Sequence, residues 1–302
     1  MLDLPPSWYE LGARARIAGI LDADSFIEFL GPEVRAMSPH LQLFALPPAF
    51  DDGIVVGRGQ IGGRAVLLAA QEGRFLGGAI GEVHGAKLTG LLRGAAASGA
   101  DVLILFDTGG VRLQEANAGE VAVAEIMRAA LFARAAGSQI LGLIGGRAGC
   151  FGGGGLIAAC CSRLIMSEQG RMGVTGPEVI ESNRGVEEFD ASDRALVWRT
   201  YGGKHRRLTG GVDLLVEDDA ASFRQGAIGL LDRRQPFDLS QLDAEHARLA
   251  RRLARCGDTR DAQQMWTRLN VTMRDIPRVP DMTVAEFTTL AAALPDANHD
   301  AR

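Results

Sequence analysis

Three times in its centre the chain passes from an apolar strand through a glycine turn into a helix, and this repetition limits the folds open to it. "DVLILF" (101–106) is the clearest of the strands. After Asp101 it is apolar throughout, without the alternation of a half-solvated strand, so it reads as covered on both faces. Gly109 and Gly110 follow in "FDTGGVRLQEANAGE" (106–120), and a strong helical pattern occupies 119–136. The same order recurs over 73–99, with Gly77 and Gly78 in the turn and a helix from about Glu82. It recurs again over 149–169, where Gly152 and Gly153 precede a short apolar helix and a strand. Repeated strand–turn–helix units predict an α/β architecture.

The flanks fit around this centre. Residues 9–22 pattern as an amphipathic leading helix, followed by a turn at Asp22–Asp24 and a short extended piece. Pro32, Pro39, Pro47 and Pro48 keep 31–52 irregular. "DGIVVGRGQIGGRAVLLAAQ" (52–71) predicts two strands joined by a tight glycine turn. Further strands are expected over 138–146 and 212–218, with a loop and helix start over 170–182. From about 219 to 302 the sequence becomes more helical. No linker divides it, so 1–302 is expected to form a single domain.

Composition removes several function classes. A net charge of −5 over 302 residues implies no general affinity for nucleic acid. Cys150, Cys160, Cys161 and Cys256 form no CxxC pair, which argues against a zinc ribbon or disulfide framework and fits a reducing cytosol. No metal site is expected. There is no signal-peptide pattern and no apolar run long enough to span a bilayer, so a cytoplasmic protein without a membrane partner is expected.

The glycine clusters "LGGAIG" (76–81), "TGGVR" (108–112) and "CFGGGGL" (150–156) are neither a P-loop nor a dinucleotide fingerprint. Two readings of them stand. They let strands and helices pack closely, or they leave backbone N–H groups bare at helix starts, where negative charge is favoured. Amides aimed at a developing oxyanion contribute about 3–4 kcal/mol each to lowering a barrier. No acid/base constellation is evident. His205 in "YGGKHRR" (201–207) is the most suggestive histidine, its basic neighbours being either a solvated loop or a seat for a phosphate-bearing arm. Glu115 and Glu120 suit a helix start. Cys160 and Cys161 read as core.

Several blocks together resemble the biotin-dependent carboxyltransferase family: "ARARIAGILDADSFIEF" (13–29), "DGIVVGRGQIGGRAV" (52–66), "FLGGAIGEVHGAKL" (75–88), "DTGGVRLQE" (107–115) and "GVTGPEVIE" (173–181). The resemblance spans roughly residues 10 to 230. It implies a crotonase/ClpP-like superhelix of repeated ββα units in a single carboxyltransferase-type domain. Within the family, the chain is most similar to the β subunits of biotin-independent malonate decarboxylases: 181–219 resembles their version of this stretch, and the glycine-rich 147–156 lacks the Ser/Thr-containing pattern common in biotin-dependent relatives. That likeness implies decarboxylation of a malonyl thioester on an acyl carrier protein, through the carrier's CoA-like phosphoribosyl-dephospho-CoA arm and without biotin. It also implies a γ subunit sharing the active site, and an α subunit in the assembly. On this resemblance the enolate oxygen would be held by amides at Gly109, Gly110, Gly152 and Gly153, and the arm by Gly77, Gly78, Ala79 and Arg112. Three alternatives stand beside it: a biotin-using carboxyltransferase subunit, a lone hydratase or isomerase using Glu115 or Glu120, and a non-catalytic assembly subunit.

Overall fold

The computed structural model describes residues 6–294. One seven-stranded sheet runs through them in chain order: β1 Ile27–Glu28, β2 Ile54–Ile61, β3 Arg64–Gln71, β4 Asp101–Phe106, β5 Ile140–Ile144, β6 Arg163–Ser167 and β7 Leu214–Val216. β1, β2 and β3 pair antiparallel, and β3 through β7 are parallel. Parallel neighbours require a crossover, and helices supply it. From β3 to β6 these are α2 Glu82–Ser98, α3 Asn117–Ala135 and α4 Gly153–Ala159.

The sheet is covered on both faces, as the apolar runs predict. Val102, Ile104 and Phe106 of β4 pack with α2, α3 and α4. Leu103 and Leu105 point the other way, toward Trp8, the leading helix α1 (Ala13–Ile20) and α8 (Ala220–Leu231). All six β4 residues are buried.

Beyond β3, β4, β5 and β6 the chain makes a second, minimal ladder of single bridges: Ile80 with Val111, Thr108 with Cys150, Cys150 with Met172, and, antiparallel, Arg171 with Gly202. A long strand, a one-residue strand and a helix make each turn, which is the ββα repeat in abbreviated form.

The leading helix is shorter than the 9–22 span expected from periodicity. Trp8–Glu10 form a 3-10 turn, the chain breaks at Leu11–Gly12, and α1 begins at Ala13. A carboxylate remote in sequence sets this start: Glu72 accepts the Ala13 N–H at 2.9 Å. After β6 come α5 Pro177–Arg184, α6 Arg194–Tyr201 and α7 Gly203–Leu208; after α8 come α9 Leu239–Cys256, α10 Ala262–Arg268 and α11 Val284–Ala293. Residues 1–5 of the expected domain and the end of its helical part, 295–302, lie outside the described residues. Among those described, no helix is long and apolar enough to cross a membrane.

Trp266, Val279 and Phe287 close the C-terminal part around a separate apolar cluster with Leu208 and Leu215. Phe287 is fully buried there. Phe287→Ala is expected to cost about 3–5 kcal/mol by cavity formation, read as a lower urea midpoint at unchanged slope.

Candidate active site

Because β3 to β7 run parallel, their following turns lie along one edge of the sheet. That edge is where open α/β sheets place ligands. The three glycine turns converge there. The Gly109 N–H donates to the Gly77 carbonyl at 2.8 Å, and the Ile80 N–H to the Gly110 carbonyl at 2.8 Å. The Phe151 N–H donates to the Thr108 carbonyl at 2.9 Å. Backbone meets backbone so closely that side chains are excluded: a Cβ on Gly78 would lie 1.8 Å from the Asp107 carbonyl oxygen, and one on Gly152 would lie 3.2 Å from the Gly110 Cα. Close packing and exposed amides are therefore not alternatives here, since the close packing is what juxtaposes the turns.

The state of each amide separates the residues expected from the sequence. Gly109 is committed to Gly77, Gly110 to the Thr108 hydroxyl at 3.1 Å, and Gly152 to the Val174 carbonyl at 3.0 Å. Gly78 and Ala79 likewise donate inside their own turn, to Phe75 and Leu76. Among the described residues, the N–H groups of Gly77, Val111 and Gly153 have no internal acceptor. Gly153 is buried, at the first position of α4. A buried N–H left unpaired is rare and costly. Glycine clustering in the sequence marks the region but cannot say which amides the ladder consumes.

Arg112, expected at the carrier arm, is turned inward. It is 1% exposed, bonds both Asp52 oxygens at 3.0 and 3.1 Å, and bonds Glu115 at 2.7 Å. A guanidinium neutralised by two carboxylates has no charge to spare for a phosphate. Glu115 is equally occupied, accepting from the Ser38 hydroxyl and the Glu82 N–H, both at 2.6 Å. Burial acts to raise its pKa, and those donors with Arg112 outweigh it and hold the carboxyl below the usual range. It is thus an anion fully engaged, unlike a general base. Glu120 stands exposed in the first turn of α3.

Behind the turns lies a second buried pair that the sequence reading missed. Arg16 meets Asp107 at 2.8 Å, both essentially without solvent contact. Asp107 directly follows β4, and its position before Thr108–Gly110 was its only signal. Cys150, bridging Thr108 and Met172, is a neutral thiol, burial pushing its pKa well up.

His205 lies elsewhere, beneath Trp266, whose indole N–H donates to its Nδ1 at 3.2 Å. Its basic neighbours serve the fold: Lys204 bonds Glu168 at 3.0 Å and the Pro280 carbonyl at 2.8 Å, and Arg206 bonds the Met172 carbonyl at 2.9 Å. Burial, reinforced by Arg206 and Arg252, lowers the His205 pKa to about 3. Below pH about 6.5 the unfolded chain takes up a proton that the folded chain refuses. Stability is therefore lost as pH falls from that value toward 3, by about 1.4 kcal/mol per pH unit for this one group. His205→Gln is expected to flatten the urea-measured stability slope between pH 6.5 and 5 by about that amount.

Residues 10–227 match the family described as the carboxyl transferase domain. Over 242 residues the chain is 46% identical to a malonyl-S-ACP:biotin-protein carboxyltransferase of Malonomonas rubra, covering 75% of this chain and 76% of that protein. It is 32% identical over 216 residues to the methylmalonyl-CoA carboxyltransferase 12S subunit of Propionibacterium freudenreichii subsp. shermanii, covering 70% of this chain and 38% of that longer protein. A solved Pseudomonas malonate decarboxylase hetero-tetramer in complex with malonate contains a chain that superposes with a TM-score of 0.81 at 38% identity, covering 87% of this chain and 97% of that one. A chain of a Pseudomonas malonate decarboxylase hetero-dimer gives 0.67 at 36% identity, covering 84% and 99%. With a crotonase-type sheet, glycine turns gathered at its carboxyl edge and a family match over most of its length, the chain belongs to the carboxyltransferase-domain family.

Proposed function

We propose that the chain is the β-type subunit of a biotin-independent malonate decarboxylase. With a γ-type partner it converts a malonyl thioester on an acyl carrier protein to the acetyl thioester and carbon dioxide. The observation that carries this reading is the unpaired N–H of the buried Gly153, in the third turn and beside Val111 of the second, in a chain similar to malonate decarboxylase subunits over nearly their whole length. In the reaction the bond between the α-carbon and the carboxylate breaks, and its electron pair moves into the thioester as an enolate. Carbon dioxide leaves, and a proton then adds to the α-carbon. The enolate oxygen carries the developing charge, and an amide free of internal bonds stabilises it without reorganising. Gly153 is the first donor in this assignment, with Val111 and Gly77 beside the same turns. Gly109, Gly110 and Gly152 shape the turns through their backbone.

The CoA-like arm of the carrier protein would approach over Gly77 and Gly109, which are exposed where the first two turns meet. Exposed Leu113, Leu156, Val174 and Val179 flank the turns in sequence and offer an apolar rim for a partner. A hetero-oligomer is in keeping with the assemblies named for the similar structures.

A second reading, carboxyl transfer to a biotin protein, is favoured by the name of the Malonomonas rubra relative. Carbon dioxide release by the assembled complex in the presence of avidin separates the two. Avidin-insensitive release is expected, whereas loss of activity with avidin assigns the chain to biotin chemistry.

The Gly153 assignment has its own test. Proline suits the first helical position and there removes only an N–H that has no partner. A Cβ at Gly153 would crowd Val123 at 2.6 Å, so Gly153→Ala is the steric control. Gly153→Pro is expected to lower kcat about 100-fold below Gly153→Ala with the complex still assembled. Equal rates for the two variants would remove this amide from the mechanism.

A further inference from the structure

We propose that Asp107 and Glu115 are positioning residues that lock the three glycine turns into one rigid unit. The proposal rests on the oxyanion-site reading above. Each carboxylate adds side-chain bonds between elements that the backbone ladder joins by two or three bonds. Asp107 lies at the start of the second turn. One of its oxygens accepts from Arg16 at 2.8 Å, and the other accepts the Ala148 N–H of the third turn at 2.7 Å. Its own N–H donates to the Gln71 side chain at 3.1 Å, at the end of β3 where the first turn begins. Gly73 and Gly146 make room for this carboxylate, since a Cβ on either would lie within 2.5 Å of it.

Glu115 closes the other end. It accepts from Glu82 N–H, where the first turn enters α2, and from Arg112, where the second turn leaves. Arg112 also donates to the Ala79 carbonyl of the first turn at 3.2 Å. Between the two carboxylates the chain is continuous. Gln71 bonds His84 at 3.1 Å, the His84 N–H bonds Asp52 at 3.1 Å, and Asp52 bonds Arg112. Because the Gln71 oxygen already accepts from Asp107, its amide nitrogen donates to His84 Nε2. The neutral imidazole therefore carries its proton on Nδ1, which is buried without a partner.

Apolar side chains would fill this space with no desolvation cost. They would also let the turns slide, whereas hydrogen-bonded carboxylates fix direction as well as distance. Reaction rates respond steeply to such placement, with about 100-fold lost for a misplacement on the order of 1 Å.

The test combines kinetics with residue-resolved amide exchange in the assembled complex. Asp107→Asn and Glu115→Gln keep shape and remove charge. Ser38→Ala, which deletes one neutral donor to Glu115, is the mild variant should either of the others fail to fold. In the folded variants kcat is expected to fall about 10- to 100-fold with KM for the malonyl thioester unchanged. Exchange of the Thr108, Gly109 and Cys150 amides should rise while that of β2 and β3 stays fixed. Restoring a carboxylate by Asp107→Glu should recover part of both. Uniformly faster exchange across the sheet, or unchanged turn exchange with full kcat, overturns the proposal. The exchange readout does not depend on catalysis. If the wild-type complex releases no carbon dioxide, the functional reading fails, while selective loosening of the turns still decides whether these carboxylates hold them.

Discussion

Most of what is distinctive here depends on the approach of Gly78 to Asp107, two stretches of backbone with no side chain between them. That contact draws the turn after β3 onto the turn after β4. The facing of Gly110 and Gly152 does the same for the turn after β5. Once the turns abut, their amides and carbonyls bond one another across the units, and the single-residue bridges of the second ladder follow. A side chain at any of these positions would push the turns apart. The glycines would then lose their geometric reason, whatever chemistry they serve.

The parallel sheet makes this approach possible. Its strands are covered on both faces, and because they run parallel the turns after them lie along a single edge. The helices α2 and α3, packed on each other and on β3 and β4, set the spacing of the turns along that edge. Most of the polar atoms beneath the edge are engaged. Arg16 and Asp107 form a pair, and Asp52, Arg112 and Glu115 a triad, out of water, where an isolated charge would be prohibitively costly. The result is a rigid floor carrying a few unoccupied N–H groups, an arrangement suited to stabilising a transient anion.

Chemical capacity and structural duty are also divided sharply among residues of one type. His84 and His205 are both buried and neutral, each held to a pKa of about 3 chiefly by burial. Arg112 and Arg206, which on paper could bind phosphate, are bonded to the chain's own carboxylates and carbonyls. At the turns themselves, the groups with capacity to spare are backbone amides, which leave no mark on composition.

Much of the fold was legible in the sequence. The apolar run 101–106 needed two covered faces, and the strand–turn–helix order needed parallel neighbours. The glycine pairs at 77–78, 109–110 and 152–153 marked the turns that meet along one edge of the sheet. The roles of individual residues were not legible. Whether the Gly109 or the Gly153 N–H is free depends on a carbonyl contributed by another unit, 32 positions away in the case of Gly77. The resemblance set Arg112 at the carrier arm, and basic neighbours singled out His205, yet partners distant in sequence, Asp52 and Trp266, engage them. Local pattern is enough to specify strands, helices and turns, because each is decided by neighbours along the chain. Which polar group remains unsatisfied is a property of the whole assembled edge, and only the tertiary structure decides it.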